Sequence, residues 1–173
     1  QGASLKQELA KGQPLENGWG ILRDTIGDYG TNYAMRAGIA MVGLGALTPA
    51  EAVYPSTQYD SQMRLLSGDN RYRIHLEASE IPPVDAFWSL TLYDEQGFMI
   101  ENPINRYTIG DRDPLVYNAD GSLDIIIQHE MPKAGKENWL PAPDKSFELT
   151  LRTYTPKAAI LNGDWHLPVI ERL

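Results

Sequence analysis

Apolar and polar residues repeat with two different periods along this chain, and the change falls near Val53. Before it the spacing is helical. Trp19, Leu22 and Ile26 recur every three or four positions, which predicts a helix over 19–29, punctuated by Gly27 and Gly30. Ser4 to Lys11 reads as a short helix closed by Gly12 and Pro14. A further helix is expected from about Asn32 to Leu47, rich in small residues (Ala34, Ala37, Gly38, Ala40, Gly43, Gly45). A glycine inside a helix costs up to about 1 kcal/mol relative to alanine, so these positions imply close approach to a neighbouring element. Thr48-Pro49-Ala50-Glu51 is a capping box with proline at the first helical position, and predicts one helical turn.

After Val53 the period is two. Arg71, Arg73, His75 and Glu77 alternate with Tyr72, Ile74, Leu76 and Ala78, the pattern of a half-buried strand. Ala86 to Asp94 is dense in aromatic and β-branched residues and reads as a strand. Glu95-Gln96-Gly97 turns it into a short strand, Phe98 to Ile100. Asn118-Ala119-Asp120-Gly121 is a hairpin turn, with Asp-Gly supplying positive φ, between strands Leu115–Tyr117 and Ser122–His129. Phe147 to Tyr154 alternates again, Phe147, Leu149 and Leu151 inward, Glu148, Thr150 and Arg152 outward. Short strands joined by tight turns and Pro-rich loops, without βαβ spacing, describe an antiparallel β-sandwich of jelly-roll type with N-terminal helices. Residues 1–52 are expected to form a helical segment packed on a sandwich of residues 53–173, one structural domain in all.

Composition narrows the function classes. A chain of 173 residues is long enough for one domain with a self-sufficient core. Its net charge of −8, with 15 basic residues scattered singly, argues against nucleic acid and anionic lipid, which need clustered Lys and Arg. The absence of cysteine excludes disulfides, thiolate nucleophiles and Cys-ligated zinc. The longest apolar stretch, Ala37 to Leu47, is too short to span a bilayer, so a soluble protein with no membrane span is expected. A start at Gln1 rather than Met suggests a processed or trimmed product.

No nucleophile motif is present, neither G-x-S-x-G nor S-x-x-K, and Ser67 and Ser122 read as turn residues. His75, His129 and His166 lie far apart with no ligand spacing, and Asp111, Asp113, Asp120 and Asp124 do not follow a calcium loop. No metal and no cofactor are expected. A glycosidase-like pair among Glu77, Glu80, Asp85, Glu95 and Glu101 cannot be chosen from sequence, because separation in space decides such pairs.

The runs NGWGILRDTIGDYGTNYAMRA (Asn17 to Ala37), GLGALTPAEAVYP (Gly43 to Pro55) and LNGDWHLPVI (Leu161 to Ile170), together with FWSLTLYD, NRYTIGDRDP, NWLPAP and LRTYTP, resemble a bacterial family known only as domain of unknown function twelve-fourteen. The resemblance covers nearly the whole chain. It implies a β-sandwich of jelly-roll type with flanking helices, often the C-terminal part of a larger exported protein behind a partner domain. It implies no substrate and no catalytic residues. Family members tend to have glycine at the position of Met63; an exposed methionine there costs turn geometry, so a rearranged loop is expected.

Five residues are candidates for ligand binding. Arg106 and Arg152 each stand beside tyrosine, where a guanidinium clamps a carboxylate or stacks on a ring, or else bridges strands. Trp139 and Trp165 lie in Pro-rich loops near Asn138, Asn162 and Asp164, the composition of a sugar-stacking platform, or of a loop that closes the end of a sandwich. The expected function is a non-catalytic accessory or binding module of the cell envelope, periplasmic or extracellular. Its ligand would be a glycan or a small acidic molecule, held by Trp139, Asn138, Trp165, Arg106 and Arg152. The alternatives are a hydrolase with an Asp/Glu acid–base pair and a structural partner for a second domain or a second copy.

Overall fold

The computed structural model describes residues 15–23 and 26–173, so the helix expected over Ser4 to Lys11 lies outside the described residues. The fold is mainly β. Strands β1 (Leu15–Glu16), β2 (Trp19–Gly20), β3 (Ala52–Val53), β4 (Ser56–Thr57), β6 (Val84–Tyr93), β7 (Thr108–Gly110) and β10 (Glu148–Pro156) form a seven-stranded sheet. Its order is β1-β2-β4-β10-β6-β7, with β3 also paired to β10. Strands β5 (Tyr72–Leu76), β8 (Leu123–Gln128), β9 (Trp139–Pro141) and β11 (Ile170–Arg172) form a second sheet in the order β11-β5-β8-β9. From β4 onward the chain crosses repeatedly between the two: β5 is in the second sheet, β6 and β7 in the first, β8 and β9 in the second, β10 in the first, β11 in the second.

Alternation decides which side chains meet. Ile74 and Leu76 of β5, Leu123, Ile125 and Ile127 of β8, Trp88, Leu90 and Leu92 of β6, and Leu149 and Leu151 of β10 all belong to one buried cluster, so the inner faces of both sheets share a core. The expected inward set Phe147, Leu149, Leu151 is buried, and β6 and β10 pair from Glu148↔Tyr93 to Tyr154↔Phe87.

Several expectations need correction. The sheets are antiparallel except for β8 and β9, which pair in parallel. Among the described residues of 19–29 no helix forms. Trp19 is buried in β2, donating its indole N–H to the Pro168 carbonyl at 2.8 Å, and this nonlocal packing overrides the helical spacing. The next helix is shorter than expected: α1 spans Tyr33–Val42. Asn32 caps it, accepting from the Met35 N–H at 3.0 Å, and it ends at Gly43, whose N–H donates to Ile39. The Thr48 box closes a turn rather than a full helix, with Glu51 and Ala52 N–H groups donating to the Thr48 carbonyl. A short helix, α2 (Ala158–Asn162), follows β10 and ends at Gly163 in the left-handed region. Phe98–Ile100 and Leu115–Tyr117 are not strands. The second is instead held by Asn138, whose carboxamide accepts from the Val116 N–H at 2.9 Å and donates to its carbonyl at 2.7 Å. One side chain thereby supplies the two bonds a neighbouring strand would make.

Met63 has a left-handed backbone, φ 60°, with 49% of its surface exposed. The turn holds because Asp60, buried, accepts from the Gln62 and Arg64 N–H groups and from the Arg64 guanidinium at 2.7 Å. Burial pushes the Asp60 carboxyl up, but these bonds together outweigh it and hold it below the ordinary carboxylate range.

Candidate functional site

The outward side chains of β10 are Glu148, Thr150, Arg152 and Tyr154; Thr150 is buried, the other three are half-buried, and all four line one cavity. Leu22 and Ile26, Ile39 of α1, and the turn Gly43 to Ala46 lie over this face of the seven-stranded sheet and leave a cavity of about 590 Å³ between roof and floor. The volume is in the range of small-molecule sites. Arg152 lies on its floor with three tyrosines around it. Tyr93, from the end of β6, accepts from Arg152 Nη2 at 2.7 Å. The guanidinium carbon lies 5.5 Å from the Tyr93 ring and 5.9 Å from the Tyr54 ring. Tyr54 meets Tyr154 edge to face at 5.8 Å, and Tyr154 stacks on Phe87 at 4.4 Å, with the Arg112 guanidinium 4.2 Å from the Phe87 ring.

The electrostatics of this group are unusual. Among the described residues no carboxylate lies within ion-pair distance of Arg152, and its buried Nη1 has no hydrogen-bond partner. A half-buried guanidinium is normally matched by an anion, since leaving a charged donor unmet costs more than the roughly 1–3 kcal/mol of a neutral one. Burial first, and then the neighbouring Tyr154 phenol, hold Tyr54 above the ordinary phenol range, so it stays an O–H donor at neutral pH. Tyr93, whose oxygen is already accepting, keeps its own proton to donate. Thr150 and Ser56 are bonded to one another at 3.0 Å. Among the described residues the one carboxylate lining the cavity is Glu148, which accepts from Gln58 Nε2 at 3.0 Å.

The other four sequence candidates are placed elsewhere and are engaged by the fold. Trp139 is 1% exposed in β9 and donates its indole N–H to the Gln128 carbonyl at 2.9 Å. Trp165 is 6% exposed and donates to the Glu80 carbonyl at 2.9 Å. Asn138 is buried and bonded to Val116. Arg106 gathers the Lys136, Glu137 and Trp139 carbonyls through Nη1, which ties the Asn105 loop to the turn before β9. These four are therefore not brought together with Arg152, and with Trp19 and Trp88 also buried no indole ring is left open for a sugar to stack on.

The histidines and aspartates are likewise engaged locally. His75 lies between Asp124, at 2.8 Å, and Glu77, at 3.3 Å, on the outer face of the second sheet. His129 bonds the Ala142 carbonyl and His166 bonds Glu16. Asp111 and Asp113 accept from the Trp88 and Gly110 N–H groups, and Asp120 accepts from Ser122. Among the described residues no three such side chains gather as a metal site would require.

Missed from sequence were Tyr54 and Tyr93 on the floor and Leu22, Ile26 and Ile39 on the roof. A partial signal existed for the floor. Arg152 and Tyr154 share one face of a strand, and Tyr93 ends the aromatic run of the strand beside it.

Comparison with known proteins gives a family but no chemistry. The family described as protein of unknown function (DUF1214) matches residues 51–158. The chain is similar to the VPA0106 protein from Vibrio parahaemolyticus, known from a crystal structure, at 29% identity and a TM-score of 0.72, over 99% of this chain and 42% of that one. A putative uncharacterized protein from Burkholderia cenocepacia is 19% identical with a TM-score of 0.46, over 75% of this chain and 31% of that one. This chain thus spans less than half the length of either solved relative. No curated protein matches it.

Proposed function

The chain belongs to the DUF1214 family of proteins of unknown function, and from that premise we propose that it binds a small anionic ligand, without catalysis, in the cleft over β10, with Arg152 as the anchor. The observation that carries this is the guanidinium without an anionic partner among the described residues, on the floor of a cavity ringed by phenol donors. Arg152, Tyr54, Tyr93 and Tyr154 together offer donors in excess of acceptors, which suits a carboxylate or another acceptor-rich group. The acidic ligand is preferred over the glycan because the indoles are buried. The carboxylates whose titration is displaced, Asp60, Asp120 and Asp124, are all lowered, the opposite of what a general acid needs.

The test is calorimetric titration with a panel of small carboxylates, phosphate and neutral sugars, on the parent protein and Arg152→Gln. Carboxylate binding lost in the variant supports the reading; sugar binding indifferent to Arg152 ends it. A seat in the cell envelope, periplasmic or extracellular, belongs to the same proposal, since a chain without cysteine is indifferent to an oxidising compartment. The repeated crossing between sheets supports a jelly-roll-like classification.

A second reading, a structural role beside another domain or copy, is favoured by Tyr33, Met41 and Leu44. These are 70%, 52% and 87% exposed on α1 and the turn after it. Sedimentation of the chain across a hundredfold concentration range tests for the copy.

A further inference from the structure

We propose that the anion taken by this cleft has an apolar body: an aliphatic or aromatic monocarboxylate rather than a hydrophilic or multiply charged acid. The inference rests on the anion-binding reading above and names the ligand class for the same site. The lining has two chemically distinct sides. The floor holds the guanidinium and the phenols, whereas the roof is built from Leu22, Ile26, Ile39, Leu44 and Ala46, with no charged side chain among the described residues. A carboxylate bonded at Arg152 would therefore have hydrocarbon above it. A purely polar acid would leave its remaining hydroxyls or carboxylates facing that roof without partners, which is costly. An apolar body removes roof and ligand surface from water together.

The charge count favours a single anionic group. Arg152 is the only cationic side chain lining the cavity among the described residues, and Glu148 borders it as well. A second carboxylate on the ligand would gain no cation and would face Glu148. The cavity has room beside two glycines. Gly43 and Gly45 line the cavity, and a Cβ built on either meets nothing within 4 Å, so bare backbone gives the ligand's far end room to extend.

The experiment is an amide NMR titration of the full chain with acetate, butyrate, hexanoate and octanoate, alongside succinate and octanol, all below micelle-forming concentrations. Affinity should rise about fourfold per added methylene until the roof is covered, with signals shifting at both Arg152 and Ile26. Ile26→Ala should weaken octanoate about tenfold and leave acetate unchanged; because it trims a side chain in the covering segment rather than the core, it remains informative if Arg152→Gln does not fold. Equal affinity for acetate, succinate and octanoate would overturn the apolar-body inference while leaving the anion anchor standing. If no carboxylate moves the Arg152 signals, or octanol binds as tightly as octanoate, the anion-binding reading itself fails and takes this inference with it.

Discussion

Replacing Arg152 with methionine separates a ligand anchor from a strut of the fold, because methionine keeps an unbranched stem and loses only the charged head. On one side the change removes the 2.7 Å bond to the Tyr93 hydroxyl. A hydrogen bond to a charged group contributes roughly 1.5–3 kcal/mol. It also removes two ring contacts, at 5.5 and 5.9 Å, each about 0.5–1 kcal/mol at such a site. On the other side it removes a half-buried charge with an unmet donor. An unsatisfied buried polar group costs about 1–3 kcal/mol, and partial desolvation of the charge adds to that. The opposing contributions are of similar size. R152M should therefore unfold within about 1 kcal/mol of the parent, while its affinity for small carboxylates falls at least tenfold, about 1.4 kcal/mol or more. Urea denaturation followed by tryptophan fluorescence measures the first, since all four indoles are buried and report unfolding strongly; an unchanged slope shows that the same surface is exposed in both proteins. A loss of more than about 2 kcal/mol at unchanged slope would refute the reasoning. It would mean that the guanidinium is matched within the fold and that Arg152 holds the sheet together.

Met63→Gly should stabilise the protein by about 0.5–1 kcal/mol, because the left-handed backbone costs an L-residue roughly 1–2 kcal/mol and glycine returns about 0.5–1 of that in unfolded-state entropy; a lowered urea midpoint would contradict it. Gly68→Ala should be strongly destabilising, by about 3 kcal/mol or more on the scale of overpacked sites, since a Cβ there overlaps the Pro143 carbonyl oxygen; an unchanged melting temperature would show that the Pro143–Lys145 loop yields freely. His75 is raised above its ordinary value of 6.5, chiefly by its bond to Asp124, and then by Glu77, against burial. A raised folded value means that its contribution is fully present below 6.5 and lost as pH rises through the folded value. The urea midpoint of the parent should thus fall relative to His75→Gln across that window, by a small amount because the ring is 37% exposed; a difference constant with pH would rule the coupling out.

The strands were legible wherever one face is buried by the other sheet. Ile74 and Leu76, Leu123, Ile125 and Ile127, and Leu149 and Leu151 alternate in sequence because each successive residue changes face, and burial follows. The sequence misled where partners are remote. Trp19 and Ile21 read as helix, yet the Trp19 indole bonds a carbonyl 149 residues away, and no local period encodes that. β9 reads as loop because Pro141 ends it and Pro143 follows, although a three-residue strand pairing in parallel at the edge of a sheet tolerates proline. Leu115–Tyr117 read as a strand and is held instead by the Asn138 carboxamide, which satisfies the same backbone groups from 22 residues downstream.

The candidate site shows the same limit more sharply. An aromatic ring beside an amide is what a sugar platform needs, and equally what a loop needs to close the end of a sandwich, so composition cannot separate Trp139 from a binding residue. The separation lies in whether the donors are matched inside the chain. For Trp139, Asn138, Trp165 and Arg106 they are, by Gln128, Val116, Glu80 and the carbonyls before β9. For Arg152 the alternation of β10 correctly placed the side chain on the outer face. Outer faces are usually wet, and a wet arginine needs no partner. What makes this one different is the cover formed by Leu22, Ile26, Ile39 and Leu44, which takes the guanidinium part-way out of water, while among the described residues no carboxylate pairs with it. The fold thus encloses a cavity with one guanidinium that no described carboxylate matches. That combination arises only when a covering segment and a strand more than 100 residues apart are brought together, which is why the tertiary structure was needed to find it.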